Sequence, residues 1–245
     1  MFLELKLAQI FEYFKNRLKF NDKEGYKMAI INNIENAADD FLAGTDVTET
    51  DQEGVQLASS DGIEVFTSET NDVNMSGSDT NNAVLTGDED LDVTANDGDN
   101  FVVGNSGSNE ISTGDGDDQV SAGAGDDTIN ITGTGEKTID GGEGNDLFVL
   151  GDAAAGSQST FTGLNVGDKV RVTVADTNGD GKLDVDDIEG VSSDDSGNVV
   201  FTLKDGTSFT LEGVGESSAG NGDIAYEIND NGDGTFDVVL SAAEG

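Results

Sequence analysis

Residues 95–149 read ANDGDNFVV (95–103), GNSGSNEIS (104–112), TGDGDDQVS (113–121), AGAGDDTIN (122–130), TGTGEKTID (132–140) and GGEGNDLFV (141–149), and this stretch decides the fold. It is a tandem nine-residue repeat, interrupted once by the extra Ile131. The eighth place is apolar throughout, at Val102, Ile111, Val120, Ile129, Ile139 and Phe148. The fourth is always glycine, at Gly98, Gly107, Gly116, Gly125, Gly135 and Gly144. Glycine permits the positive φ and close backbone approach of a tight turn. The last three residues of each unit then predict a short strand whose eighth side chain enters a narrow core. The sixth place holds Asn100, Asn109, Asp118, Asp127, Lys137 and Asp146. A carboxylate there, on a turn that aims carbonyls inward, offers the all-oxygen surroundings that a hard cation such as calcium prefers.

These units resemble the repeats of the repeats-in-toxin (RTX) family, G-G-x-G-x-D-x-U-x with U apolar. The resemblance implies an all-β fold, a right-handed parallel β-roll with calcium ions between stacked turns. Alternate units stack, so Asn109, Asp127 and Asp146 should form one edge and Asn100, Asp118 and Lys137 the other. Calcium should sit best between Asp127 and Asp146. On the second edge the Lys137 ammonium cannot ligate an ion and should stand where one would be, so fewer ions than repeats are expected. A metal-free solenoid is the weaker alternative, because stacked Asp rows would repel one another.

The 245-residue chain carries a net charge of −40, with 51 acidic against 11 basic residues. Such a chain repels itself unless counterions neutralise it. Calcium at about millimolar levels would stabilise the folded form by linkage, so an extracellular supply and a calcium-poor cytosol would act together as a folding switch. The acidity argues against nucleic-acid binding, which needs a basic surface. No run approaches the ~18 apolar residues of a transmembrane helix. Cys, His, Pro and Trp are absent. Without His there is no Ser-His-Asp triad and no HExxH zinc site. With 51 acids, pairs of carboxylates carry no information about glycoside hydrolysis. The chain therefore reads as a non-enzyme.

Residues 1–27 differ from the rest: six basic and four acidic residues give +2, leaving −42 for residues 28–245. Leu3, Leu7, Ile10, Phe14 and Leu18 recur at helical spacing. The segment reads as a docked helix, a membrane-surface helix, or upstream sequence that is not translated. The last reading notes that Lys23-Glu24-Gly25 can be encoded by a ribosome-binding sequence just before Met28. Residues 28–72 predict a short helix around Ile34–Leu42 and a polar segment. Residues 73–150 are read as the roll, the early units having lost most turn glycines and stacking without calcium.

Residues 151–245 predict a β-rich cap with a hairpin at Lys204-Asp205-Gly206 and another at Asn231–Gly234. Asp176-Thr-Asn178-Gly-Asp180-Gly-Lys182-Leu-Asp184-Val-Asp186-Asp187 matches an EF-hand calcium loop, with Asp187 where Glu is usual. Asp176, Asn178 and Asp180 would give side-chain oxygens, Lys182 its carbonyl, and Asp184 and Asp187 the rest. The resemblance further implies type I export by an uncleaved C-terminal signal, for which Asp237–Leu240 is the candidate. The leading reading is a secreted, calcium-folded structural or interaction component of the cell surface or extracellular matrix. The alternative is an adhesin-like module that binds cell-surface polysaccharide or self-associates.

Overall fold

The computed structural model describes residues 47–49, 55–60, 63–151, 156–173, 188–193, 198–214, 224–232 and 235–242, with 52 and 154. The predicted helix at 34–42, residues 1–27 and the EF-hand-like loop lie outside the described residues.

The chain enters through β1 (Val47–Glu49), β2 (Val55–Ser60) and β3 (Ile63–Ser68), which pair antiparallel in that order. From β3 it winds between two sheets. One receives β3, β5 (Asn82–Leu85), β7 (Phe101–Val103), β9 (Asp118–Ala124), β11 (Glu136–Glu143) and β13 (Gln158–Thr162), all parallel. The other receives β4 (Val73–Asn74), β6 (Val93–Thr94), β8 (Glu110–Ser112), β10 (Thr128–Ile131), β12 (Leu147–Leu150) and β14 (Lys169–Val172), again parallel. Alternation between sheets is what a unit with one strand and one turn must give, because each turn reverses the chain across the core. The result is a parallel β-solenoid of about five turns.

Register places the eighth residues over one another. Val93, Ile111, Ile129, Phe148 and Val170 stack in one sheet. Ala83, Val102, Val120, Ile139 and Phe161 stack in the other. These residues are buried and belong to one core. Burying each large side chain is worth roughly 1.5–3 kcal/mol, so the ladder carries much of the stability. Ile131 is accommodated without loss: it is fully buried and pairs with Leu150.

The parallel winding continues past Leu150, where the nine-residue period disappears from the sequence. Phe161 pairs with Ile139, and Val170 with Phe148. Beyond it lies the cap: β15 (Ile188–Ser193), β16 (Val199–Leu203) and β17 (Ser208–Leu211) extend the first sheet, and β18 (Ile224–Asp230) with β19 (Phe236–Ala242) extends the second. Both expected hairpins, β16–β17 and β18–β19, are antiparallel. Aromatic side chains close this end of the core, with Phe148–Phe161 centroids 4.7 Å apart and Phe201 stacked on Phe209 at 4.6 Å. Arg171 ties β14 to β19 by donating from Nε and Nη2 to Asp237, at 2.8 and 3.0 Å.

Candidate metal centre

Each turn lies so close to the next that side chains are excluded there. A Cβ on Gly142, at φ +94°, would fall 1.9 Å from the Gly123 carbonyl oxygen. One on Gly114, at φ +79°, would fall 2.1 Å from Asn96 O. Glycine is required at these places by both conformation and space. The close approach leaves carbonyl oxygens of successive turns crowded along the two edges of the roll.

The structure stacks the sixth-place residues in two rows. Along one edge the Asn109 N–H donates to Asp127 Oδ1 at 2.7 Å, the Asp127 N–H to Asp146 Oδ1 at 3.0 Å, and the Asp146 N–H to Asp168 Oδ1 at 2.9 Å. Along the other, Asn100 N–H donates to Asp118 Oδ1 at 2.9 Å, and Lys137 follows. Every member is buried, although five are carboxylates or an ammonium. Burial of such groups is costly unless each finds a partner of opposite charge or a donor.

On the Asn100–Asp118–Lys137 edge that partner is internal. Lys137 Nζ donates to Gly114 O, Gly116 O and Thr134 O at 2.9, 2.7 and 3.0 Å, and lies 2.8 Å from Asp118 Oδ2. Three carbonyls and a carboxylate around one positive charge is the environment of a cation site, filled by a tethered ammonium. Burial pushes Asp118 up to about 6, against the pull of the Lys137 and Asn100 hydrogen bonds.

One place along the other edge, between units 122–130 and 141–149, the same backbone recurs. Gly116 N–H bonds Thr134 O at 3.0 Å, and its counterpart Gly125 N–H bonds Glu143 O at 2.9 Å. Here Asp146 replaces the lysine, and among the described residues no cationic side chain is paired with it. Asp127 Oδ2 and Asp146 Oδ2 are buried and accept no hydrogen bond. Burial raises Asp127 to about 7, and the neighbouring Asp146, Asp126 and Asp90 charges add to it against the Asn109 N–H. Burial likewise raises Asp146 to about 6, with Asp168, Asp126 and Asp140 adding. Two orphaned carboxylate oxygens beside a set of carbonyls that elsewhere holds an ammonium fit a hard divalent cation. Among the described residues no three acidic side chains group to hold a metal by themselves, so backbone oxygens have to complete any coordination.

Asn100 and Asn109 join the rows, but as donors. Asn100 Nδ2 donates to Asn96 O at 2.9 Å, to Asp118 Oδ1 at 3.1 Å and to Gly98 O. Asn109 Nδ2 donates to Leu91 O at 2.8 Å and Asn105 Oδ1 at 3.1 Å. Two participants escaped the sequence reading. Asp168 extends the Asp127–Asp146 row, its carboxyl raised by burial against the Asp146 and Asn165 N–H bonds. Asn165 Nδ2 spans Gly142 O at 2.6 Å and Gly163 O at 2.9 Å. The available signal was Asp168 two residues before Val170, the same interval as Asp146 to Phe148. Asp176, Asn178, Asp180, Lys182, Asp184 and Asp187 lie outside the described residues.

Residues 94–129 and 131–153 match the family model of the RTX calcium-binding nonapeptide repeat, in four copies. The match breaks at residue 130, beside the inserted Ile131. No curated protein was found to match the chain.

Proposed function

We propose that this chain, an RTX-type calcium-binding repeat protein, folds fully only outside the cell, where calcium enters the edge between units 122–130 and 141–149. The observation that carries this is the pair of buried, donorless oxygens Asp127 Oδ2 and Asp146 Oδ2. Asp127 and Asp146 would hold the ion, with carbonyls of Gly123, Gly125 and Glu143 in the positions that Gly114, Gly116 and Thr134 occupy around Lys137. When bound, calcium supplies the positive charge that cancels the Asp127–Asp146 repulsion and joins the two turns. Asp118 is committed to Lys137, and Asn100 and Asn109 to carbonyls, so few ions enter the roll. The spacing of Asp176, Asn178, Asp180, Lys182, Asp184 and Asp187 supports a second calcium loop.

The role is that of a secreted structural or interaction component of the cell surface or matrix, and not of a catalyst. The charge of −40 supports a setting rich in divalent ions, and without cysteine, stability outside the cell has to come from something other than disulfides. Export by a type I route through the C-terminal strand belongs to the same reading. Titration calorimetry and circular dichroism with and without chelator, together with fractionation of culture supernatant, test it. A fold and stoichiometry indifferent to calcium would remove the ion site. A protein retained wholly in the cytosol would remove the secretion reading.

A further inference from the structure

The units differ at a place the family pattern gives to glycine. The second residue is Asn96 and Asn105 in the first two units, and Gly114, Gly123, Gly133 and Gly142 in the later four. The two asparagines are buried and bridge turns. Asn96 Nδ2 donates to Ser78 O and Thr80 O, both at 3.0 Å, and to Asn81 Oδ1 at 2.8 Å, while its Oδ1 accepts Gly98 N–H at 2.9 Å. Asn105 Nδ2 donates to Thr86 O at 3.1 Å and Glu89 O at 2.9 Å, while its Oδ1 accepts Gly107 N–H at 2.9 Å and Asn109 Nδ2 at 3.1 Å.

Asn96 thus takes the second- and fourth-place carbonyls of the preceding unit on its edge. Lys137 takes the same pair from its own neighbour, Gly114 and Gly116. Asn100 takes Asn96 O and Gly98 O, the second- and fourth-place carbonyls of its own unit, and Asn105 takes the first- and fourth-place carbonyls of the preceding unit on its edge. An amide NH₂ and an ammonium serve the same converging carbonyls that a calcium ion would serve. The amide differs in one respect: it brings no charge, and the sixth place of those two units is correspondingly neutral, Asn100 and Asn109. In units 122–130 and 141–149 the second residue is glycine, which has no side chain to donate, and the sixth is aspartate.

We propose that residues 77–112 are clasped by asparagine amides and hold their turns without calcium, as Lys137 holds the turns up to residue 140, whereas the turns from 141 to 172 close only when the ion arrives. The roll is then an ion-independent platform joined to an ion-dependent extension. Calcium lengthens a preformed coil and does not have to nucleate one, so the costly first turn is formed before the ion is present. The second half of this statement rests on the calcium reading above; the first half does not.

Hydrogen exchange of the full chain in chelator and in calcium, read segment by segment, tests it. In chelator, amides of residues 82–112 should remain protected and those of 141–172 should exchange about tenfold or more faster than in calcium. Asn105→Ala should remove protection of 82–112 in both conditions, because two carbonyls lose their donor. Asn105→Asp should remove it in chelator and regain it in calcium, because a carboxylate needs a cation where the amide did not. Loss of protection across the whole coil in chelator would overturn the proposal, as would Asn105→Ala leaving 82–112 unchanged. A coil protected throughout in chelator, with 82–112 still sensitive to Asn105→Ala, would instead sink the calcium reading and leave the clasps standing.

Discussion

Replacing Lys137 by aspartate should make the protein less stable without calcium and let it bind one more ion with it. Lys137 and Asp118 side chains are both fully shielded from solvent and 2.8 Å apart. Removing one partner of such a pair leaves an uncompensated buried charge and costs about 3–5 kcal/mol. Gly114 O and Gly116 O lose the Lys137 donor at the same time, while Thr134 O keeps the Gly116 N–H. The new carboxylate also adds repulsion from Asp118. In chelator the variant should therefore melt lower by about 6–20 °C, at ~2–4 °C per kcal/mol for a chain of this size. In calcium the edge becomes a copy of the Asp127–Asp146 edge. An ion present at a hundred times its dissociation constant contributes ~2.7 kcal/mol, which offsets most of the loss. Calorimetric titration gives the stoichiometry, and thermal melts in chelator and calcium give the two stabilities. An unchanged stoichiometry, or an equal drop in both conditions, would refute the equivalence between the ammonium and an ion.

Further outcomes follow from the same geometry. Asp127→Asn should abolish binding between units 122–130 and 141–149, yet raise the melting point in chelator, because it removes a buried charge that nothing there balances. Acid should do likewise: burial pushes the carboxyls of Asp127 and Asp146 up to about 7 and about 6, well above the usual carboxylate range. Raised acids bind protons on folding, so the calcium-free fold should be more stable at pH 5 than at pH 8, by up to about 2.5 kcal/mol for Asp127. Its stability should decline as pH rises through 6–7, while calcium affinity rises over the same interval; melts in chelator across pH 5–8 measure the first and titrations the second. Gly142→Ala should cost about 3 kcal/mol or more in saturating calcium, given φ +94° and a Cβ 1.9 Å from Gly123 O, whereas Gly151→Ala, with open space around it, should be near neutral by calorimetry.

The coil was legible before any coordinates. A period of nine, glycine in every fourth place and an apolar residue in every eighth leave the chain one way to bury its side chains, by winding. The alternate stacking of Asp118 under Lys137, and of Asp127 under Asp146, follows from two units to the turn. The EF-hand-like loop is a separate sequence signal, read from ligand spacing alone. What spacing could not convey is the part played by residues that break the pattern. Asp168 follows Asp146 by 22 residues, not 18 or 19, and its unit lacks the fourth-place glycine, so its two-residue interval to Val170 is a faint signal; the pairing of β14 with β12 puts it in the row. Asn96 and Asn105 look like lost glycines in the sequence. Their function depends on where their amides end, 16 to 19 residues back along the chain. Periodicity specifies which residues repeat, because each unit solves the same local burial problem. Whether a given edge is held by an amide, an ammonium or a metal ion is decided by which charges the stacked turns bring within 3 Å of one another, and that exists only once the turns are stacked.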